Sequence, residues 1–161
     1  MNEKRIAFMG YGKGLKIMID VAKNYFDIVG VFTQNNQFYD NNSEYFNSLA
    51  SNNLYIDIRE YCKDHDINCF QDKSVSNNSS IEWFKTIKPD IIVCSSRWEI
   101  VKPSFLSVFE NVFNVHGSNI PNLMGRAPQS WAILNQIDNI GYTIHKMTSD
   151  IDAGPIVAQC E

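Results

Sequence analysis

Paired cysteine is what this sequence most plainly lacks. Cys62, Cys69, Cys94 and Cys160 form no CxxC pair and stand at no metal-ligand spacing from a histidine, which removes a zinc framework and leaves no basis for a disulfide scaffold. All four read as core or surface thiols. Basic charge is short as well: 14 Lys and Arg against 18 Asp and Glu give a formal net charge of -4, so there is no basic footprint for tracking a phosphate backbone. Nucleic acid is not the expected partner. No run approaches the roughly 20 apolar residues that span a bilayer, and residues 1–9 hold neither a hydrophobic signal core nor a small-residue cleavage site. The expectation is a soluble, cytoplasmic protein with no membrane contact, in a compartment that disfavours disulfides.

What is present is enough for a core. The 161 residues fit one domain, and 44% hydrophobic with 20% charged residues is an ordinary globular balance; chains of this length bury roughly 70% of their unfolded surface. Short β-branched runs at residues 5–9, 27–32, 68–70, 90–95, 112–116, 142–146 and 155–159 read as strands. Helical periods at 14–23, 56–64, 80–87, 103–110 and 128–135 alternate with them. Residues 33–53, rich in Asn, Gln and Ser, read as a loop with at most one helical turn at 43–49. Pro89 closes one helix and Pro103 opens another. The fold class this alternation predicts is α/β: an open, mostly parallel twisted sheet with flanking helices. No internal repeat or linker interrupts it.

Gly10-Tyr11-Gly12, after the first strand, resembles the start of a dinucleotide fingerprint but does not complete it. Leu15 stands where a third glycine belongs, and the second strand ends Val31-Phe32-Thr33-Gln34 without the acidic residue that holds a ribose. A tight strand-to-helix turn explains the glycines, and NAD is not implied.

The chemistry-bearing pattern starts at Phe113-Asn114-Val115-His116. Strand alternation puts Asn114 and His116 on one face, at the carboxyl end of a strand, where open α/β sheets bind ligands. Histidine exchanges protons near neutrality, and an asparagine amide can donate to an oxygen on which charge develops. Asp150-Ile151-Asp152-Ala153-Gly154-Pro155 supplies a carboxylate, Asp152, on a sharp turn before the last strand, placed to orient an imidazole. An isolated Asn-x-His is more often a satisfied turn than a catalyst, so the surrounding sequence has to decide.

From Asn114 the text NVHGSNIPNLMGRAPQSWAILN, followed by GYTIHKMTSDIDAGPIVAQ, resembles the folate-dependent formyltransferase family, whose members act on glycinamide ribonucleotide, methionyl-tRNA or nucleotide-linked amino sugars. The resemblance is dense over residues 114–159 and looser over 5–10 and 94–106. It implies a Rossmann-like formyltransferase core across residues 1–161, with Asn114, His116 and Asp152 as the catalytic residues. It implies direct transfer from 10-formyltetrahydrofolate, without metal or covalent enzyme intermediate, through an oxyanion held by Asn114 and protonated His116. Arg97, Trp98, Glu99, Ile100 and Asp150 would meet the folate, with Trp98 equally readable as a partly buried loop aromatic. Ser118, Arg126, Gly10 and Tyr11 would meet the acceptor, with Arg126 equally readable as a tie within its own loop. His145 reads as a core residue.

Gly125-Arg126-Ala127-Pro128 with Trp131-Ala132-Ile133 is most similar to the sugar-modifying branch, which includes a formyltransferase domain acting on UDP-4-amino-4-deoxy-L-arabinose. A nucleotide-linked amino sugar is therefore the expected acceptor, and surface-polysaccharide synthesis the expected context. Methionyl-tRNA and glycinamide ribonucleotide are the alternatives, along with a catalytically silent domain that binds folate or a nucleotide sugar. A homodimer is left open. Two departures from the family stand out: Leu123-Met124 replace an aromatic and an arginine, and family cores run on past this length. Either the sequence is a piece of a longer chain or the protein is a minimal form.

Overall fold

Every residue of β1 (Arg5–Gly10) after Arg5 is buried, the pattern of a strand covered on both faces. In the computed structural model, which describes residues 4–52, 55–95 and 99–160, β1 pairs in parallel with β2 (Asp27–Gln34) on one side and β4 (Ile91–Ser95) on the other. β3 (Cys69–Asp72) pairs in parallel with β2. These strands belong to one compact unit, Met1–Glu99; a second unit comprises Ile100–Glu161.

Helices cover both faces of the four parallel strands. α1 (Gly12–Ala22) and, later in the chain, the helix Ile58–Asp64 bury Leu15, Ile19, Ile58 and Cys62 against Ile6, Phe8 and Val31. On the opposite face Phe32, next to Val31, meets Phe84 of the helix Asn78–Ile87 with ring centroids 6.1 Å apart. Alternation along β2 is the reason adjacent residues serve opposite layers.

Residues 33–53 hold more helix than the single turn expected at 43–49. β2 runs on to Gln34, and two helices follow, α2 (Asn36–Asn41) and α3 (Ser43–Ser51). The asparagines that read as loop formers act at helix ends: the Asn35 side chain accepts from the Phe38 amide at 3.3 Å. Tyr39 and Phe46, seven residues apart, are the buried stripe, and the Tyr39 hydroxyl shares a 2.7 Å hydrogen bond with Thr33. The three helices that follow α3 in order are α4 (Ile58–Asp64), α5 (Asn78–Ile87) and α6 (Pro103–Leu106). The last is half the expected 103–110, and beyond it the Val108 and Phe109 amides both donate to the Phe105 carbonyl.

The second unit holds β5 (Val112–His116), α7 (Pro128–Leu134), β6 (Tyr142–Lys146) and β7 (Ile156–Cys160), with β6 antiparallel to both other strands. Nine residues join β6 to β7, too few for the dozen or so that a parallel crossover needs. Among the described residues no helix is long and apolar enough to cross a membrane.

Gly10 shows why the strand-to-helix turn carries glycine. Its φ is +146°, and a Cβ there would fall on the Ser95 carbonyl oxygen of the paired strand β4. Gly10→Ala combines a disfavoured φ with a backbone collision, and about 3 kcal/mol of stability should be lost. Thermal denaturation followed by circular dichroism would read this as a midpoint lowered by roughly 6–12 °C for a domain of this size.

Candidate active site

The β5–β6 register sets Asn114 opposite His145 and His116 opposite Thr143, so two polar pairs from adjacent strands share one face. The turn before β7 adds Asp152, held at φ +51°, a left-handed conformation that a short polar side chain tolerates. Asp152 then bridges the group. Its Oδ2 lies 3.5 Å from His116 Nδ1 and its Oδ1 lies 3.4 Å from His145 Nε2. The Gly125 amide donates to Oδ2 at 2.7 Å; Gly125 has φ +92°, the backbone setting that turns this N–H inward. His116 and the Asp152 side chain are only 7% and 12% exposed.

The hydrogen bonds assign the protons. The Leu123 carbonyl, 2.7 Å from His116 Nε2, can only accept, so Nε2 carries hydrogen and Nδ1 is the atom that faces Asp152. His145 Nδ1 likewise donates to the Lys146 carbonyl at 3.1 Å. Its Nε2 accepts from Asn114 Nδ2 at 3.2 Å when bare and serves Asp152 when protonated. Asn114 Nδ2 also lies 3.5 Å from Asp152 Oδ1. An amide nitrogen has two hydrogens, and Asn114 Nδ2 finds His145 Nε2 and Asp152 Oδ1 as acceptors within the cluster.

Burial pushes the Asp152 carboxyl up. The hydrogen bonds from His145 and the Gly125 amide, with the charges of His116 and His145, outweigh that and hold it below the usual carboxylate range. A carboxyl lowered in the folded state contributes stability that is present above its unfolded value, about 3.9. That contribution is lost as pH falls through the lower folded value. Asp152→Asn should therefore flatten the stability loss below about pH 4. Melting temperatures of the two proteins across pH 2–6 would show parallel curves if the carboxylate had no such role.

The other expected residues have their own surroundings. Ser118 is fully buried, and its hydroxyl donates to the Leu123 carbonyl at 2.6 Å, so it ties down its loop and does not present itself to an acceptor. Arg126 is exposed on that loop, and Asp150 is exposed at the start of the turn that carries Asp152. Gly10 and Tyr11 lie in the first unit; the Tyr11 ring packs at 5.8–6.0 Å from Phe46 and Phe38. Glu99 accepts from the Val75 amide at 2.7 Å, and Ile100 is 65% exposed. Arg97 and Trp98 lie outside the described residues. Among the described residues no group of three or more His, Cys, Asp or Glu is arranged to hold a metal ion.

His145, Leu123 and Gly125 enter the cluster without having been expected there. His145 is buried, as its strand implied, but its partners are Asn114 and Asp152. Knowing that Thr143 and His145 alternate inward beside Asn114 and His116 requires an antiparallel register that the sequence does not print. Leu123 acts through its backbone, which no side-chain pattern reveals.

The family model described as formyl transferase matches residues 4–161. The chain belongs to the formyl transferase family. Within the family, it is 27% identical over 159 residues to the methionyl-tRNA formyltransferase of Thermotoga maritima, covering 98% of this chain and 48% of that protein. It is 31% identical over 107 residues to the bifunctional polymyxin resistance protein ArnA of Wigglesworthia glossinidia brevipalpis, covering 66% of this chain and 16% of that one. The chain thus spans about half the length of the first of these relatives and less of the second. Among solved structures, glycinamide ribonucleotide transformylase 1 from Geobacillus kaustophilus matches with a TM-score of 0.78 at 19% identity, over 99% of this chain and 82% of that one. A formyltetrahydrofolate deformylase from Pseudomonas syringae matches with a TM-score of 0.74 at 22% identity, over 99% and 51%. At these identities the structural likeness establishes the shared α/β fold.

Proposed function

We propose that this chain carries the catalytic core of a 10-formyltetrahydrofolate-dependent N-formyltransferase whose acceptor is the amine of a nucleotide-linked amino sugar. The observation that supports the chemistry best is the bridging position of Asp152 between His116 Nδ1 and His145 Nε2, beside the Asn114 amide.

The acceptor nitrogen attacks the formyl carbon, the C=O π pair moves onto oxygen, and an Asn114 N–H donates to the oxyanion. The proton lost by the attacking nitrogen is held between His116 Nδ1 and Asp152 Oδ2 and returns to the folate N10 as the C–N10 bond breaks. His116 was expected to donate to the oxyanion as well, but its Nε2 hydrogen is committed to the Leu123 carbonyl. Its role here is that of proton partner to Asp152.

The acceptor class rests on charge and on likeness. The net charge is -4, which does not favour a tRNA phosphate backbone. Gly125-Arg126-Ala127-Pro128 with Trp131-Ala132-Ile133 resembles the sugar-modifying branch of the family. The match to methionyl-tRNA formyltransferase over nearly the whole chain favours tRNA as the second reading.

Incubation with 10-formyltetrahydrofolate and separate acceptors (UDP- and dTDP-amino sugars, glycinamide ribonucleotide, methionyl-tRNA), followed by mass spectrometry, separates these. A gain of about 28 Da, one CO, on an amino sugar alone is the expected result. Formylation of methionyl-tRNA alone would transfer the reading to that branch, and folate binding without product on any acceptor would mark a silent domain.

A further inference from the structure

Gln159, near the end of β7, reaches across β6 with its primary amide. Its Nε2 donates to the Thr143 hydroxyl at 2.8 Å and to the Ile120 carbonyl at 3.0 Å. The Thr143 hydroxyl is fully buried; it donates to the Ser118 carbonyl at 2.7 Å and accepts from the Ile120 amide at 3.3 Å. A hydroxyl offers one hydrogen and two lone pairs, and here all three are used. The residues so held, Ser118 and Ile120, form the base of the loop that follows His116. Ser118 carries the restraint on to Leu123, whose carbonyl takes the Ser118 hydroxyl at 2.6 Å and His116 Nε2 at 2.7 Å. From β7 to the imidazole the linkage is continuous, and its last bond decides which ring nitrogen of His116 faces Asp152.

We propose that Gln159, acting through Thr143, is a positioning residue that fixes the tautomer of His116 by holding the Leu123 carbonyl in place. The proposal rests on the formyl-transfer reading for its effect on rate, but its effect on the ring does not require turnover. Neither side chain touches His116 or Asp152 in any hydrogen bond described above, so their influence runs through the loop.

Three variants of the full chain test this: Gln159→Met, which keeps length and loses the donor; Thr143→Val, which keeps shape and loses the hydroxyl; and Thr143→Ser, which keeps all three bonds. The ring nitrogens of neutral His116 are read by ¹⁵N–¹H correlation. The parent and Thr143→Ser should show a single tautomer with Nε2 protonated. Gln159→Met and Thr143→Val should show shifts averaged between tautomers, and a drop in kcat of about tenfold or more with KM nearly unchanged. A purely structural role would lower the melting temperature and leave the ring shifts and the kcat to KM balance alone. Unchanged shifts in folded Gln159→Met would overturn the proposal. If the parent transfers no formyl group to any acceptor while the ring shifts move as stated, the function is wrong and the positioning role stands.

Discussion

Asp152→Asn is expected to lower formyl transfer by about a thousandfold or more. Four groups meet at this carboxylate: His116, His145, Asn114 and the Gly125 amide. Asparagine keeps the size, but it removes the charge and replaces one acceptor oxygen with a donor. If the amide nitrogen faces Gly125, two donors oppose one another. If it faces His145, the bond that complements Asn114 is lost. In either orientation the proton taken from the attacking amine no longer has an anionic partner beside Nδ1. Loss of kcat with binding of folate retained would agree with this, since the group acts on the transition state and not on uniform binding. A variant within about tenfold of the parent would remove Asp152 from the proton path.

The second large effect is at the two strand residues. Asn114→Ala takes away the donor proposed for the oxyanion and should cost about 10²–10³-fold in kcat. His116→Ala should cost about 10²-fold or more. Because both touch Asp152, the double variant should fall well short of the product of the single losses. Steady-state kinetics of the two singles and the double, in the same buffer, check both magnitude and coupling. Full multiplicativity would mean that the residues work independently, contrary to the shared carboxylate.

Much of this site was legible in the chain. β5 and β6 begin and end where alternation placed them, because each is a short β-branched run bounded by turn residues. Asn114, His116 and Asp152, picked out by spacing and by the family text, do converge on one cluster. What could not be read was backbone and register. Leu123 enters through a carbonyl, Gly125 through an amide, and His145 through antiparallel pairing with β5. Ser118 shows the converse: its residue type fits a substrate contact, but its depth makes it a brace. In residues 33–53 composition misled, since asparagine is at home both in loops and at helix caps. The one turn expected at 43–49 falls within α3.

The most direct test follows the formyl carbon itself. Supplied with ¹³C-formyl-labelled 10-formyltetrahydrofolate and an amino-sugar nucleotide, the full chain should move the ¹³C signal from the folate N10 amide to a new sugar amide, while Asp152→Asn binds the folate and leaves the signal in place. A label that stays on the folate with the parent protein, or that moves equally fast with Asp152→Asn, would contradict a formyl-transfer site built on Asn114, His116 and Asp152.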